Sequence, residues 1–394
     1  MPYFCGAFFF ISLKTNITNT IYQSATDLPN SWDDLAVDTI FLQRKYLAAL
    51  EQSKPENMKC FFIGFHQDDS LIGIALAQFL DLNKLASFGD RDKCFKTTIR
   101  NFVFKNFCSH VLFIGNNMLT GQNAFRFSKD ILPSVQSDAL MEAIHVLKNE
   151  FEQSGKKIHI ISVKDFEQEE AEMLAQSSLN SFYQFSAQPN MVFDIQKEWN
   201  SETDYIDSFT KKYRDQYKRA RKKLEGIEKR KLLLEDIQFH EDTIYKLYEH
   251  VAKNAPFNTF FLAKNHFSVL KEKLGEAFLF YGYFEQDKLI GFSTLIKNGV
   301  VMDTYFLGYD WEIQKEKMLY LNMLYDMVAY SINNGFQEII FARTALEIKS
   351  SIGAKAIKMN GFIKHETKII DSCIGRIFNF LEPEAQWNER NPFK

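Results

Sequence analysis

The stretch Phe62–Gly73, FIGFHQDDSLIG, decides the fold because the chain repeats it at Phe280–Gly291, FYGYFEQDKLIG. The two stretches align without gaps and are identical at six of their twelve positions. Each places apolar residues on both sides of a polar turn that contains Asp, a pattern typical of a β-hairpin. We therefore predict two copies of one folding unit.

The match extends to both sides of the hairpins. Upstream, Ile40–Leu50 resembles Phe260–Leu270, and both have the apolar spacing of an amphipathic helix. Downstream, each half has a periodic helix, then a glycine that suits a left-handed helix end, then a strand. These helices are Ser137–Ser154, before Gly155, and Lys317–Asn334, before Gly335. Two copies are too few for a solenoid. The predicted fold class is α/β (α+β, with a mixed sheet), in two tandem domains.

The boundary between the two domains is predicted near residue 197, which gives domains 1–197 and 198–394. The stretch from Gly73 to Gly155 is about 38 residues longer than the corresponding stretch from Gly291 to Gly335. The first half therefore carries an insertion near 83–116. Within it, 91–107 (RDKCFKTTIRNFVFKNF) has the pattern of a basic amphipathic helix. Such a helix packs across a domain junction or contacts an anionic membrane surface at the periphery, and the sequence leaves both readings open.

Composition excludes several classes of protein. The chain has 394 residues with 39 Phe, and this much ring surface excludes a disordered protein. The longest apolar stretch, Tyr3–Leu13, is short of the roughly 20 residues of a membrane span and is predicted to be a strand. Five scattered cysteines argue for a reducing compartment and against a disulfide frame or a zinc site. The net charge of −3 gives no general attraction to DNA. We expect a cytoplasmic protein.

Four segments carry a resemblance to a known family: Gln188–Ile195, Lys212–Lys223, Phe341–Ala354 and Arg390–Lys394. They resemble those of tandem GNAT acyltransferases of the FemAB-like and BioF2-like branch. The resemblance covers nearly the whole chain, with a BioF2-like second domain, and implies an N-acyltransferase whose second unit carries most of the site. It implies a thioester donor, either acyl-CoA or an acyl carrier protein, whereas Fem ligases use aminoacyl-tRNA.

One departure from the family pattern leaves the donor open. GNAT enzymes that use acetyl-CoA have an Arg/Gln-x-x-Gly-x-Gly/Ala loop whose backbone amides hold the diphosphate at a helix N-terminus. The second unit has Gly308–Lys315, GYDWEIQK, at this place, with one glycine and two acids. The first unit has Gly115–Gln122, with two glycines but without the pattern.

Asp303 is the first catalytic candidate. It lies in the predicted strand Val300–Asp310, in which it shares one face with Tyr305 and Leu307. A lone acid among apolar neighbours is costly to bury, and burial raises its pKa towards that of a general base. Alternatively, Asp303 lies at an exposed edge of the sheet or makes a structural hydrogen bond. Tyr305 and Tyr309 are predicted proton donors to the leaving group, or else core aromatics.

Arg343, Glu347 and Lys349 follow the second unit's strand and match the family motif. The resemblance implies that Glu347 accepts a proton from an amine, and that Arg343 and Lys349 hold a carboxylate or phosphate of the ligand. An ion-pair network that closes the domain is the alternative.

The segment Lys211–Lys231 is strongly basic, with eleven Lys or Arg against three acids. Helical spacing places Lys211, Arg214, Lys218 and Arg221 on one face. A strip of this kind binds phosphate groups, although a solvated helix face has the same pattern. The predicted donor-binding residues here are Arg214, Tyr217, Lys218 and Arg221.

We therefore expect an N-acyltransferase that moves an acyl group directly from its donor to a small-molecule or lipid amine. No Gly-x-Ser-x-Gly nucleophile motif and no His-Glu-x-x-His metal motif occurs, so no covalent acyl-enzyme and no metal are predicted. Three alternatives stay open: a Fem-like aminoacyltransferase acting on a peptidoglycan precursor, an N-acyltransferase of a long-chain amino lipid, and a non-catalytic binding module.

Overall fold

The computed structural model describes residues 17–84, 109–121, 123–255, 258–376 and 387–394. The predictions for Tyr3–Leu13 and for the basic segment 91–107 lie outside these residues. The strands of the first half are β1 (Ile17–Tyr22), β2 (Met58–Gln67), β3 (Ser70–Asp81), β4 (His110–Ile114), β5 (Phe125–Phe127), β6 (Ile160–Phe166) and β7 (Tyr183–Asp194). Those of the second half are β8 (Ile227–Lys231), β9 (Phe278–Glu285), β10 (Lys288–Asn298), β11 (Val301–Tyr309), β12 (Glu338–Ala342) and β13 (Lys355–His365).

Helices cover both faces of the sheet. The first half contributes α1 (Trp32–Leu35), α2 (Arg44–Gln52), α3 (Pro133–Gln153) and α4 (Gln168–Ala175). The second half contributes α5 (Glu202–Asp207), α6 (Lys211–Lys223), α7 (Leu234–Phe239), α8 (Glu241–Asn254), α9 (His266–Leu274), α10 (Trp311–Lys317), α11 (Leu319–Asn333), α12 (Leu346–Ser350) and α13 (Lys368–Asp371).

The repeated hairpins and helix ends are confirmed. β2 pairs with β3, and β9 pairs with β10, both antiparallel. The first hairpin turns at Asp68 and Asp69, which both have positive φ, a conformation that Asp tolerates. Helices α3 and α11 are followed by Gly155 and Gly335, whose φ angles of 75° and 72° lie in the left-handed region.

The helix predicted over Phe260–Leu270 is wrong in its first part. Helix α9 begins only at His266, and the segment 258–265 before it has irregular backbone that ends in a turn. There the backbone amide of Leu262 donates to the hydroxyl of Tyr248 over 3.1 Å, so it does not serve a helix. In the corresponding segment of the first half, a short 3-10 turn precedes α2.

Strands of the two halves alternate at the centre of a single mixed sheet. Within the described residues the order is β1-β2-β3-β4-β6-β13-β7-β12-β11-β10-β9-β8, and β5 pairs with β3. Strand β13 of the second half therefore lies between β6 and β7 of the first half. Strand β7 in turn pairs with β12 of the second half. The two predicted domains form one sheet through this exchange, and the boundary near 197 stays a prediction.

The hydrophobic core is shared between the halves on one face of the sheet. There α2 packs against α9, and Leu47 and Phe62 belong to the same buried cluster as Leu270 and Phe280. On the other face one core lies under α3 and α4 and includes Phe362 of β13, and another lies under α5, α6 and α11 and includes Met191 and Phe193 of β7. The helices matched by the repeat thus meet at the contact between the halves.

Candidate active site

A cavity opens where two central strands separate. Strands β11 and β12 run parallel and are in register only over Val301–Asp303 and Glu338–Ile340. Strand β11 then continues to Tyr309, whereas β12 ends at Ala342. The space beside them has a volume of about 350 Å³ and is closed by α8, α11 and Met118–Thr120 of the first half. Both halves therefore contribute to its wall.

Asp303 lies at the last paired position of β11 and lines this cavity. Only 7% of its surface is exposed. Its Oδ2 accepts a hydrogen bond from Nδ2 of Asn298 over 3.2 Å, and Asn298 Oδ1 accepts one from the amide of Ile40 over 2.9 Å. Burial raises the pKa of Asp303 to about 7, partly offset by the Asn298 hydrogen bond. The carboxylate can therefore take up a proton near neutral pH.

A β-bulge beyond Asp303 changes which side chains share a face. Thr294 of β10 faces two residues of β11, Tyr305 and Phe306, and its hydroxyl donates to the carbonyl of Phe306 over 2.5 Å. Tyr305 and Phe306 both pack on the shared core, whereas Leu307 packs on the opposite core. The predicted alignment of Leu307 with Asp303 and Tyr305 is therefore wrong.

Tyr305 lines the cavity and belongs to a buried polar network that the sequence did not reveal. Its hydroxyl lies 2.9 Å from Nε2 of His266, whose Nδ1 lies 2.8 Å from Oγ of Ser53. Burial raises the pKa of Tyr305 and lowers that of His266 to about 4. The only sequence signal for His266 was its place in the repeated helical segment.

Tyr309 lies at the last position of β11 and also lines the cavity. It is half-buried, and burial raises its pKa. Its ring centroid lies 6.1 Å from that of Tyr320, which comes from the first turn of α11. Tyr309 therefore lies within reach of a ligand, and its role as a proton donor stays a prediction.

Arg343 and Lys349 line the cavity, but both hold groups of the protein itself. Arg343 forms an ion pair with Asp165, at the end of β6 in the first half. The Nζ of Lys349 donates to the carbonyls of Phe341, over 2.6 Å, and of Arg343, over 2.7 Å. Burial lowers the pKa of Lys349 to about 7. These contacts fit the alternative of a network that closes the domain, and the binding of a ligand anion by Arg343 and Lys349 stays a prediction.

The chain is similar to several solved structures. The crystal structure of FemX matches with a TM-score of 0.51 and 12% identity, over 87% of this chain and 96% of that chain. A conserved protein of unknown function from Bacteroides thetaiotaomicron VPI-5482 matches with a TM-score of 0.50 and 10% identity, over 88% of this chain and 99% of that chain. The chain has a FemX-like, tandem GNAT fold.

A tandem GNAT protein from the clavulanic acid biosynthesis pathway, solved without AcCoA, matches with a TM-score of 0.49 and 7% identity, over 89% of this chain and 98% of that chain. No protein-family model and no curated protein match the sequence. The similarity to FemX shows the fold alone and says nothing of the reaction.

Glu347 lies outside the cavity wall of this tandem GNAT fold. Its Oε2 accepts a hydrogen bond from the guanidinium of Arg390 over 2.8 Å, so it anchors the C-terminal segment. Thr344 and Ala345 have positive φ before α12 begins, and the short helix then points Lys349 inward while Glu347 pairs at the surface. This placement corrects the expectation that Glu347 accepts a proton from the substrate.

The basic helix α6 packs behind α11 rather than in the cavity. Arg221, with 23% of its side chain exposed, donates to Asp326 over 2.7 Å and to Glu202 over 2.8 Å. Tyr217 also donates to Glu202, over 2.8 Å. These two residues thus join α5, α6 and α11, and their role in binding a donor stays a prediction.

The other two predicted residues of the strip stay nearer to solvent. Arg214 is half-buried and Lys218 is exposed on the outer face of α6. They remain available to an anion at the surface, and their role as donor-binding residues stays a prediction.

The connection after β11 does not fit the diphosphate of coenzyme A. Asp310 caps α10, and its carboxylate accepts a hydrogen bond from the amide of Glu312 over 3.1 Å. A carboxylate therefore occupies the helix end where the family pattern places a phosphate. Gly308 has another role: a Cβ there would lie 2.6 Å from the backbone of Leu247, so this glycine allows α8 to approach β11.

No group of three His, Cys, Asp or Glu that could hold a metal occurs among the residues that the structure describes. None of the described helices combines the length and the apolar composition that a membrane span requires.

Proposed function

We propose that the protein is an N-acyltransferase whose active site is the cavity between β11 and β12. The observation that carries this proposal is Asp303, a buried carboxylate with a pKa of about 7 at the point where the two strands separate. A general base works best when its pKa lies near the working pH. The tandem GNAT fold supports an acyl transfer at this position.

In the proposed reaction Asp303 acts as the general base. The amine nitrogen attacks the carbonyl carbon of the acyl donor, and a C–N bond forms while the C–S or C–O bond to the leaving group breaks. The amine proton passes to Asp303, and the leaving group departs as a thiol or an alcohol once it is protonated. Tyr309 is the residue that we propose for that protonation, because it lines the cavity at the end of β11.

The donor is proposed to be a thioester on an acyl carrier protein or an aminoacyl ester on tRNA. Asp310 disfavours a coenzyme A diphosphate at the end of β11. Both other donors carry their anionic groups outside the cavity, where the exposed cations of α6, such as Lys218, lie at the surface. A Fem-like transfer to a peptidoglycan precursor belongs to this class.

A lipid amine is the second candidate acceptor. The cavity wall is largely apolar, with Met118 and Leu119 from one half and Leu324 and Met327 from the other. Such a wall favours an aliphatic chain. A cytoplasmic location and a peripheral membrane contact would suit this acceptor, and both stay predictions.

Ligand screening tests the proposal. We would measure thermal shifts with acetyl-CoA, palmitoyl-CoA, an acyl carrier protein loaded with palmitate, aminoacyl-tRNA and UDP-linked muropeptide, because a ligand that binds the native state raises Tm. Thiol release from the thioesters would then be followed with a panel of amines. Stabilisation by the acylated carrier protein together with amine-dependent thiol release is the expected result.

Asp303→Asn is expected to lower kcat/KM by about 10² to 10⁴, the usual contribution of a general base. Asp38→Asn, which changes an exposed carboxylate that does not line the cavity, is the matched control. Full activity of Asp303→Asn would contradict the proposed mechanism. A folded protein that neither binds nor turns over any donor, aminoacyl-tRNA included, would point to a non-catalytic binding module.

A further inference from the structure

Asp165 is a buried carboxylate of the first half that the proposed reaction does not use. Only 1% of its surface is exposed. Its Oδ1 pairs with the guanidinium of Arg343 from the second half, and its Oδ2 pairs with the ammonium of its neighbour Lys164. Burial and the like charge of Arg343 both lower the pKa of Lys164. The two cations therefore depend on the carboxylate between them.

A β-bulge places Lys164 and Asp165 on the same side of the strand. Successive residues of a regular strand point to opposite faces of the sheet. In the pairing of β6 with β13, Lys164 is opposite Gly361 and Phe166 is opposite Asn360, so Asp165 is an extra residue. Its φ of 71° lies in the left-handed region, which Asp tolerates. The bulge thus allows two neighbours in the chain to form an ion pair.

Each of the two cations belongs to a different wall of the cavity. Nζ of Lys164 donates to the carbonyl of Leu119 over 3.1 Å and to that of Asn116 over 3.3 Å. These bonds hold the loop whose residues Met118–Thr120 close the cavity from the first half. Arg343 lines the cavity and belongs to the turn after β12, in the second half. One carboxylate therefore joins both walls.

The second half has the same backbone feature without the charges. Val163 is the last residue of β6 that pairs with β4, and Asp165 lies two residues beyond it. Ile340 is the last residue of β12 that pairs with β11, and Ala342 lies two residues beyond it, also with positive φ. Ala342 lines the cavity. The repeated feature thus forms part of the cavity wall in the second half and supplies the shared carboxylate in the first.

We propose that Asp165 is a positioning residue that fixes the two walls of the cavity relative to each other, through Lys164 on one wall and Arg343 on the other. It thereby sets the space between Met118–Thr120 and the turn after β12. The arrangement of the walls does not depend on any reaction. Its effect on catalysis rests on the proposed acyl transfer, to which it adds a residue of the first half that shapes the site through its neighbours.

Hydrogen exchange of the native protein, followed by mass spectrometry, tests this role. Asp165→Asn removes the charge and keeps both the shape of the side chain and its tolerance for positive φ. We expect the amides of 115–121 and of 342–350 to exchange about tenfold faster, because the two cations then repel each other and the charge-assisted contacts weaken. Asp69→Asn is the matched control, since Asp69 is exposed and has a φ of 64°.

Variants of the two cations test each wall separately. Lys164→Met should speed exchange about tenfold in 115–121 and leave 342–350 unchanged, because it removes the bonds to the loop only. Arg343→Met should have the reverse effect. This division holds even if Asp165→Asn does not fold. Faster exchange of both segments in each of the two variants would contradict the proposed arrangement.

Kinetics test the effect on the site, with the substrates that the thiol-release screen identifies. Asp165→Asn should raise KM for the amine or for the acyl donor about tenfold and leave kcat within about twofold, because Asp303 is unchanged and only the space for the substrate is altered. Asp69→Asn should change neither constant. A fall in kcat at unchanged KM would contradict the positioning role.

The exchange pattern separates this inference from the proposed function. Faster exchange of both wall segments in Asp165→Asn, with the hairpin 62–73 unchanged, supports the inference whether or not the protein turns over a substrate. Equal acceleration along the whole chain, or no change in either segment, would overturn it. Absence of turnover with every donor and amine counts against the proposed function alone.

Discussion

Asp303 shows how one buried side chain links stability and chemistry. Its hydrogen-bond donor is the amide of Asn298, which stabilises the charged carboxylate less than a cation would. Burial therefore dominates and raises the pKa to about 7. The charged form is the one that acts as a base, and it is also the form whose burial costs free energy. The same position thus supports the proposed activity and weakens the fold.

This conflict predicts a pH-dependent effect of Asp303→Asn on stability. The pKa of Asp303 is raised in the folded state. Its stabilising contribution to the free energy of unfolding is therefore fully present below the unfolded pKa of about 4, and it is lost as the pH rises through about 7. The variant should therefore gain stability relative to the wild type as the pH rises, by up to ~4 kcal/mol between pH 4 and 8.

Urea unfolding at several pH values measures this difference. Asp38→Asn should show no comparable trend, since that carboxylate is exposed. If the free energy difference between wild type and Asp303→Asn stayed constant from pH 4 to pH 8, the raised pKa would be disproved.

At the scale of elements, helix α6 shows how packing divides a periodic pattern. Helical spacing correctly groups its basic residues, but the helix lies against α5 and α11. Arg221, at the side of this contact, pairs with Glu202 and Asp326, whereas Lys218 stays in solvent. The guanidinium of Arg221 also lies 5.2 Å from the ring centre of Tyr217. Arg221 therefore joins three helices that the sequence only places in order.

Arg221→Met is expected to destabilise the protein by about 1–3 kcal/mol, because it leaves Asp326 and Glu202 without their shared cation in a half-buried place. Lys218→Met on the same helix is the matched control and should stay within about 0.5 kcal/mol. Urea midpoints, read by tyrosine fluorescence and circular dichroism, measure both. Equal effects of the two substitutions would show that the network contributes nothing specific.

At the scale of the whole molecule, the duplication has produced one interleaved body. Strand β13 of the second half lies between β6 and β7 of the first, and the face covered by α2 and α9 has a common core. Much of the Phe content serves this arrangement, since Phe62 and Phe280 occupy equivalent buried positions in it. The cavity too has walls from both halves.

Separate expression of 1–197 and 198–394 should therefore fail to give two native domains. Without β13, the first half would leave β6 and β7 with unpaired edges, and such edges favour aggregation. Co-expression should recover a 1:1 complex that unfolds in a single transition. Size-exclusion chromatography and circular dichroism measure this. Cooperative unfolding of either half alone would contradict it.

The sequence by itself determined the elements and their repetition: the hairpins at Phe62–Gly73 and Phe280–Gly291, the helix ends at Gly155 and Gly335, and the strand that carries Asp303. These features depend on turn chemistry and periodicity, which act between near neighbours in the chain. Only the tertiary structure decided which distant groups meet. The insertion of β13 and the contact of His266 with Ser53 depend on packing between the halves, and the bulge opposite Thr294 depends on how β10 pairs with β11. No local pattern records any of them. For the same reason, only the structure assigned Arg343 and Lys349 to partners within the protein.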